Sequence, residues 1–364
     1  MNVLFITRKY PPMVGGMEKQ NYELITNLSS LVNKSLIALK KSQINLIWFL
    51  PYALIKSIFT ITTKRIDIIH LGDGLLAPIG LILKFIFNKK VIVTVHGLDI
   101  TLNNRFYQLI VLSSLRKLDK IICVSNSTRH ECLKRKVNPN KCVFIPNGIE
   151  SGRLSLKTSR ETQIKSIETE FRINLKNKKI LLSVGRLVKR KGVYWFIDNV
   201  MSMLGNNTIL IVVGDGPEKA RIARIVNKKK LKDNVFLLGR IEEDSLKNLY
   251  NAADIFVMPN IKVKGDMEGF GIVAIEAASL GIPVVASGIE GIKDAIHNEK
   301  NGYLVNPYDA KSFTDKIKYI FKNEKRMKSF SLSSKKFTHD NYDWKRINQL
   351  YYQEFKKTLG ETKK

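Results

Sequence analysis

Short runs of β-branched and aliphatic residues alternate with longer stretches of mixed apolar and charged residues along the whole chain. In the first half, Val3–Thr7, Ser35–Leu39, Ile44–Phe49, Ile66–Leu71, Val91–Val95, Lys120–Val124 and Val143–Ile145 are predicted as strands. In the second half, Ile180–Val184, Thr208–Val213, Val235–Leu238, Ile255–Met258 and Pro283–Ala286 are. Nearly unbroken apolar strands separated by helical segments form parallel sheets with helices on both faces. The pattern predicts an α/β chain of two Rossmann-like, doubly wound domains facing each other across a cleft. The polar stretch Glu150–Lys179 has weak periodicity and reads as a linker plus one helix. The domains are therefore set at residues 1–165 and 166–342.

Three segments need a decision beyond periodicity. Met1–Thr7 opens as a strand rather than a signal peptide, because no basic segment precedes a run that is itself too short. Ile44–Ile61 is the most apolar stretch, but Pro51 and Lys56 interrupt it. A spanning helix needs about 20 unbroken apolar residues, so it reads as a buried strand, Ile44–Phe49, followed by a helix, Pro51–Thr62. Gly360–Lys364 is expected to fray.

Composition changes the picture in one respect. The 364 residues are 44% hydrophobic and 26% charged, which is ordinary for a globular chain, but the net charge is +29. Such an excess suits a nucleic acid or an anionic membrane surface. The basic clusters, such as Lys89–Lys90, Lys134–Lys136 and Lys228–Lys230, are dispersed and lack interleaved aromatics. That disfavours a nucleic-acid platform and leaves the cytoplasmic membrane face as the expected partner, with the chain peripheral to it. A lysine-rich composition would give the same charge without any partner. Cys123, Cys132 and Cys142 are odd in number and include no CxxC pair, so reduced thiols of a cytoplasmic protein are expected. No histidines pair at metal-ligand spacing and no DxD is present, so neither metal nor cofactor is expected.

The chemistry lies just after strands. Gly185-Arg186-Leu187-Val188-Lys189-Arg190-Lys191-Gly192 follows Ile180–Val184. Its glycines let the backbone turn sharply, and a helix start, Arg186 and Lys191 make a diphosphate clamp. Gly214-Asp215-Gly216-Pro217 also follows a strand, but Lys219 replaces the third glycine of a dinucleotide fingerprint. Glu268-Gly269-Phe270-Gly271-Ile272 leads to Glu276. Eight helical residues rise about 12 Å, more than the roughly 5–9.5 Å between hydrolytic carboxylates. Two contacts along one elongated ligand fit better. Arg240, after Val235–Leu238, is read as bordering a nucleotide base. In the first half, Gly15 and Gly16 follow the first strand, and His96-Gly97-Leu98-Asp99 follows Val91–Val95. His96 suits a contact to a sugar hydroxyl or a proton transfer.

In this order, Gly15-Gly16, His96-Gly97, Ile145-Pro146-Asn147-Gly148-Ile149, Gly185-Arg186 with Lys191-Gly192, Gly214–Pro217, Glu268–Glu276 and Asn301–Val305 resemble the retaining glycosyltransferase family 4 over nearly the whole chain. Its members include bacterial phosphatidylinositol mannosyltransferases and lipopolysaccharide and capsule enzymes. The resemblance implies the GT-B fold and a last helix, within 343–360, returning to the first domain. It also implies transfer of a hexose-type sugar from a UDP- or GDP-sugar to a saccharide or lipid-linked acceptor, without a metal. Arg186 and Lys191 would hold the diphosphate, Glu268 the donor sugar, and Phe270, Gly271 and Ile272 would offer backbone N–H groups. Glu276 would accept from ribose hydroxyls, Gly16 would lie over the phosphates, and His96 would stand near sugar and acceptor. The departing phosphate would assist acceptor deprotonation. The chain runs short between Leu28 and Ser35, which points to an unusual acceptor side. Epimerase or phosphorylase chemistry on the same fold is the alternative, and a basic nucleic-acid-binding protein the distant one.

Overall fold

A computed structural model of the chain describes residues 1–13, 15–40 and 43–360. The fraying expected at the carboxyl terminus lies, from residue 361 on, outside the described residues, as do position 14, just before Gly15, and Lys41 of the basic pair Lys40–Lys41. The described chain divides into two compact units. The first comprises Met1–Gly148, Gly265–Phe270 and Tyr342–Lys364; the second comprises Ile149–Lys264 and Gly271–Asn341. The division after Gly148 comes earlier than the sequence boundary at 165, because residues 150–165 pack with the second unit: Asn251 Nδ2 donates to the Leu154 carbonyl at 2.6 Å, and Arg160 reaches Asp254 at 3.0 Å.

The first unit runs β1 (Asn2–Thr7), α1 (Gly16–Leu28), β2 (Asn33–Ala38), α2 (Leu46–Thr63), β3 (Ile68–Leu71), α3 (Ala77–Phe87), β4 (Lys90–Val95), α4 (Leu98–Thr101), α5 (Arg105–Lys117), β5 (Lys120–Cys123), α6 (Asn126–Lys134) and β6 (Cys142–Phe144). Its sheet is wholly parallel in the order β2-β1-β3-β4-β5-β6. Side chains alternate across it. Leu4 and Ile6 join the core under α2, α3 and α5, while Val3 and Phe5 join the opposite one. The three cysteines are free and buried, with their sulfurs within 4.8 Å of one another.

The second unit continues with α7 (Arg160–Phe171), β7 (Lys179–Val184), α8 (Val193–Asn199), β8 (Thr208–Val213), α9 (Lys219–Lys228), β9 (Val235–Gly239), α10 (Glu243–Ala252), β10 (Ile255–Met258), α11 (Ile272–Ser279), β11 (Val284–Ser287), α12 (Ile292–Ala295), β12 (Tyr303–Val305), α13 (Ala310–Lys322) and α14 (Glu324–Tyr342). Its parallel sheet has the order β12-β11-β10-β7-β8-β9. The chain then returns to the first unit as α15 (Trp344–Leu359), whose Trp344, Ile347, Tyr351 and Phe355 pack on Val3, Phe5, Ile68 and Ile92. The Trp344 indole N–H donates to buried Glu23 at 2.7 Å.

One sequence expectation fails. Ile44–Phe49 is not a strand, because α2 begins at Leu46 and carries Pro51 inside it. Buried Phe49, Ala53, Ser57 and Ile61 recur every four residues, which is helical and not alternating. Pro51, the sixth residue of α2, cannot donate to the Ile47 carbonyl, and the helix continues through it because its apolar stripe is held on the sheet. Conversely, β12 (Tyr303–Val305) is a strand that the sequence pattern does not pick out.

His70 in β3 sits among Phe5, Tyr351 and Phe355, with Nε2 3.0 Å from Thr94 Oγ1. Burial, aided by His96, lowers its pKa from 6.5 to about 3. The folded unit thus refuses a proton that the unfolded chain accepts below pH 6.5. Its stability contribution is complete above that value and is lost as pH falls toward 3, by at most about 1.4 kcal/mol per pH unit. Urea midpoints measured from pH 7 to 4 should fall less steeply in His70→Gln than in the parent; equal slopes would exclude His70 as the source.

Candidate functional site

In the second unit, chain order reverses between β7 and β10, which are neighbours in the sheet. Ligands of open parallel sheets bind outside the carboxyl ends of the strands at such a point. The loop after β7 is Gly185–Gly192, and the loop after β10 leads to Gly271. These two loops touch: Ile261 N–H donates to the Arg190 carbonyl at 2.8 Å, and a Cβ on Gly192 would strike the Pro259 carbonyl. Gly192 has φ 68° and Gly214 φ 130°, values that favour glycine. The Gly214–Gly216 loop lies against the first one, with Leu187 N–H donating to the Asp215 carbonyl at 2.9 Å and Glu218 N–H to the Leu187 carbonyl at 3.0 Å.

The charged side chains are set on this frame. Arg186 is exposed, and among the described residues no carboxylate pairs with its guanidinium. Lys191 folds back over Gly185. Helix α11 starts from Gly271 at φ 92°, a residue with no side chain of its own to cap it, and its N-terminus carries the positive end of the helix dipole. Glu276, one turn into α11, is buried. Tyr250 Oη donates to its Oε2 at 3.3 Å, and Arg153 Nη2 lies 3.7 Å from its Oε1. Asp215 Oδ1 accepts from Gly216 N–H at 2.8 Å, so it braces its own loop. Arg240 is exposed just beyond β9, the edge strand, two strands from the switch point.

The first unit gathers a different set at the carboxyl ends of β1, β3 and β4. Gly15 precedes α1, which begins at Gly16. A side chain on Gly15 would collide with the carboxylate of buried Glu18, itself paired to Lys9 at 2.9 Å. His96 Nε2 lies 3.0 Å from the Gly72 carbonyl. A carbonyl only accepts, so Nε2 carries the hydrogen and Nδ1 is the acceptor of the neutral ring. Asp99 is spent on backbone: it accepts from His96 N–H at 2.8 Å and Gly74 N–H at 3.0 Å. Burial, the largest influence, pushes its pKa up against those amides and His96, which hold it down. Buried Glu268 and Phe270 belong to this unit, and Gly269 backs onto the His96 carbonyl so closely that no Cβ would fit. The Phe270 ring meets Tyr342 edge-on at 5.8 Å.

The sequence-chosen residues thus form two groups. Gly185, Arg186, Lys191, Gly214, Asp215, Gly216, Gly271, Ile272 and Glu276 share the β7–β10 end of the second sheet. Gly15, Gly16, His96, Asp99, Glu268, Gly269 and Phe270 belong to the first unit. Four polar residues escaped the sequence reading. Tyr250 and Arg153 hold Glu276, and Arg8 pairs with fully buried Asp73 at 3.0 Å beside Asp99. Their partners lie far away in sequence, and no local motif marks them.

Residues 166–337 match the family model described as glycosyl transferases group 1, and residues 33–153 match glycosyltransferase family 4. An uncharacterized glycosyltransferase of Methanocaldococcus jannaschii is 27% identical, over 82% of this chain and 77% of its own length. The UDP-Gal:alpha-D-GlcNAc-diphosphoundecaprenol alpha-1,3-galactosyltransferase of Escherichia coli is 26% identical, over 78% of this chain and 71% of its own. Among solved structures, Anabaena HepE in complex with UDP superposes with a TM-score of 0.79 at 17% identity, covering 98% of this chain and all of that one.

Proposed function

The chain belongs to the family 4 and group 1 glycosyltransferases of GT-B fold, and we propose that it moves a hexose-type sugar, with retention, from a UDP- or GDP-sugar to a saccharide or lipid-linked acceptor. The single observation that carries the donor assignment is the exposed Arg186 at the β7–β10 switch point, which no carboxylate among the described residues pairs, with Lys191 on the same loop. Such a guanidinium matches a diphosphate in geometry and charge. The relatives add support: one is named for UDP-Gal and alpha-D-GlcNAc-diphosphoundecaprenol, and a solved neighbour holds UDP.

In this reading the C1–O bond to the β-phosphate breaks, the acceptor oxygen attacks C1 from the same face, and its proton passes to a leaving phosphate oxygen. Arg186, Lys191 and the α11 N-terminus neutralise the charge that builds on the phosphate. No metal or cofactor takes part. Glu276, held by Tyr250 and Arg153, accepts from ribose hydroxyls. Gly16 lies over the phosphates, Glu268 and His96 face sugar and acceptor, and Arg240 stands toward the base. Asp99 acts through His96 as a positioning residue, because both of its oxygens are already engaged. The chain works at the cytoplasmic membrane face in cell-surface polysaccharide or glycolipid synthesis, its +29 charge drawn to anionic lipid.

The test is incubation with UDP- and GDP-sugars in EDTA, with and without undecaprenyl-diphosphate sugars. Free nucleotide diphosphate released only with acceptor, and a product of unchanged anomeric configuration by NMR, is the expected result. Release without acceptor, sugar epimerisation, an inverted anomer or a requirement for metal would each overturn the corresponding part.

Tyr250→Phe checks the ribose assignment. Losing one hydrogen bond of roughly 0.5–1.5 kcal/mol should raise the donor KM about 3- to 10-fold with kcat nearly unchanged, as for uniform binding. A fall in kcat at constant KM would remove Glu276 from donor binding.

A further inference from the structure

Helices α2, α3 and α5 pack side by side over one face of the first sheet, α3 between the other two. Their inward stripes fill the core: Phe49, Ala53 and Ile61 from α2, Leu83 from α3, and Leu112 and Leu115 from α5. Their outward stripes are apolar as well. Ile47, Trp48 and Ile55 are 76%, 78% and 68% exposed on α2, Phe85 is 74% exposed on α3, and Phe106 and Leu109 are 77% and 71% exposed on α5. Among the described residues, fourteen of the eighteen exposed large apolar side chains lie between Ile44 and Ile110. Scattered exposed apolar residues are normal, but a concentration on one face marks an interaction surface.

We infer that this three-helix face is a monotopic membrane anchor that sinks its outer side chains into the headgroup–acyl boundary of a phospholipid bilayer. Charge selects this occupant. The three helices carry Lys56, Lys84, Arg105, Arg116 and Lys117 and no acidic residue of their own, Lys84 alone of these being paired, at 2.9 Å, with Asp119 just beyond α5 among the described ion pairs. Lys56 Nζ stands 5.1 Å from the centre of the exposed Phe59 ring, as a lysine does when its stem runs along apolar surface and its ammonium stays among headgroups. Trp48 adds the side chain most suited to that boundary. Helix α2 is long and apolar enough to cross a bilayer, but its Phe49–Ile61 stripe is committed to the sheet, so it lies flat. The inference deepens the membrane partner proposed above and rests on that reading for the partner only. It names the face and replaces electrostatic attraction with apolar insertion as the main force.

The experiment is co-sedimentation of the full chain with phosphatidylcholine vesicles, with and without phosphatidylglycerol, at low and at molar salt. It is joined to quenching of tryptophan fluorescence by brominated phosphatidylcholine. Binding should survive molar salt. Quenching should be strong in the parent and nearly absent in Trp48→Phe, which retains the half-buried Trp195 and buried Trp344. The triple variant Ile55→Ser, Phe85→Ser, Phe106→Ser changes only exposed side chains and should lower partitioning about 100-fold or more, with its circular dichroism melt unchanged. Binding confined to anionic vesicles and abolished by salt would overturn the insertion and leave the charge-based reading standing. No binding to any vesicle would overturn both. A soluble dimer that the triple variant dissociates would assign the face to a second copy of the chain and overturn the inference. Absence of Trp48 quenching would overturn it even if the triple variant failed to fold.

Discussion

Arg186→Ala lowers kcat for sugar transfer by about 10²–10³-fold, as expected for removing one preorganised charge from a leaving phosphate. Lys191→Ala falls in the same range. The double variant falls further, but by less than the product of the two losses, because both groups act on the same diphosphate and such residues are not additive. The argument starts from the backbone. Gly185 N–H donates to the Val213 carbonyl at 2.9 Å and Leu187 N–H to the Asp215 carbonyl at 2.9 Å, so the segment carrying Arg186 is pinned on both sides. Arg186 itself is exposed and spends none of its charge on a carboxylate among the described residues. Little reorganisation is needed when charge develops on the phosphate. Stability should hardly change, because no ion pair among the described residues is lost at Arg186. The measurement is steady-state transfer beside nucleotide diphosphate titration by calorimetry. A variant that loses binding and rate in equal proportion shows ground-state clamping; one that loses kcat more than affinity shows transition-state stabilisation. A double variant as active as the parent would remove the clamp from the mechanism.

What the sequence made legible follows from how each feature is encoded. Leu210–Val213 and Val91–Val95 are apolar on both faces, so fully buried parallel strands announce themselves, and the α/β class follows. The glycine loops were visible because they stand just after such strands. Two kinds of feature were not visible. The first is pairing across sequence: Arg153 reaches Glu276, and Arg8 reaches Asp73, only once the sheets are assembled. The second is the outside of a helix that is apolar all round. Along α2, Ile47, Trp48 and Ile55 look as buried as Phe49 and Ala53. Only the packed structure separates the stripe on the sheet from the stripe left outside. The same ambiguity turned Ile44–Phe49 into a strand. The net charge of +29 likewise says nothing of which surface a partner would meet, and the three helices without an acidic residue stand together as one face only in the packed structure.

Gly214→Ala should be strongly destabilising to the second unit, and the reason is steric as much as conformational. Gly214 has φ 130°, where an L side chain is strained by about 1–3 kcal/mol. Its Cβ would also stand 2.9 Å from the Gly185 carbonyl carbon and closer still to the oxygen. Neither backbone is free to yield. Gly214 N–H donates to the Gly239 carbonyl at 2.7 Å, and Gly185 N–H donates to the Val213 carbonyl, which ties the loop to the ends of β7, β8 and β9 at once. Overpacking of this kind adds about 1–3 kcal/mol, a large share of the roughly 5–15 kcal/mol that holds a domain together. Gly205 provides the control. It has φ 81° in the same unit, but nothing lies within 4 Å of its would-be Cβ. Gly205→Ala thus carries the conformational strain alone. Urea unfolding followed by circular dichroism should lower the midpoint of the second unit clearly more in Gly214→Ala than in Gly205→Ala. Nucleotide diphosphate binding should weaken only in Gly214→Ala, because any relief of the collision displaces the segment that carries Arg186. Equal destabilisation by the two variants would mean that φ strain governs both positions and that the contact between the β7 and β8 loops yields at little cost.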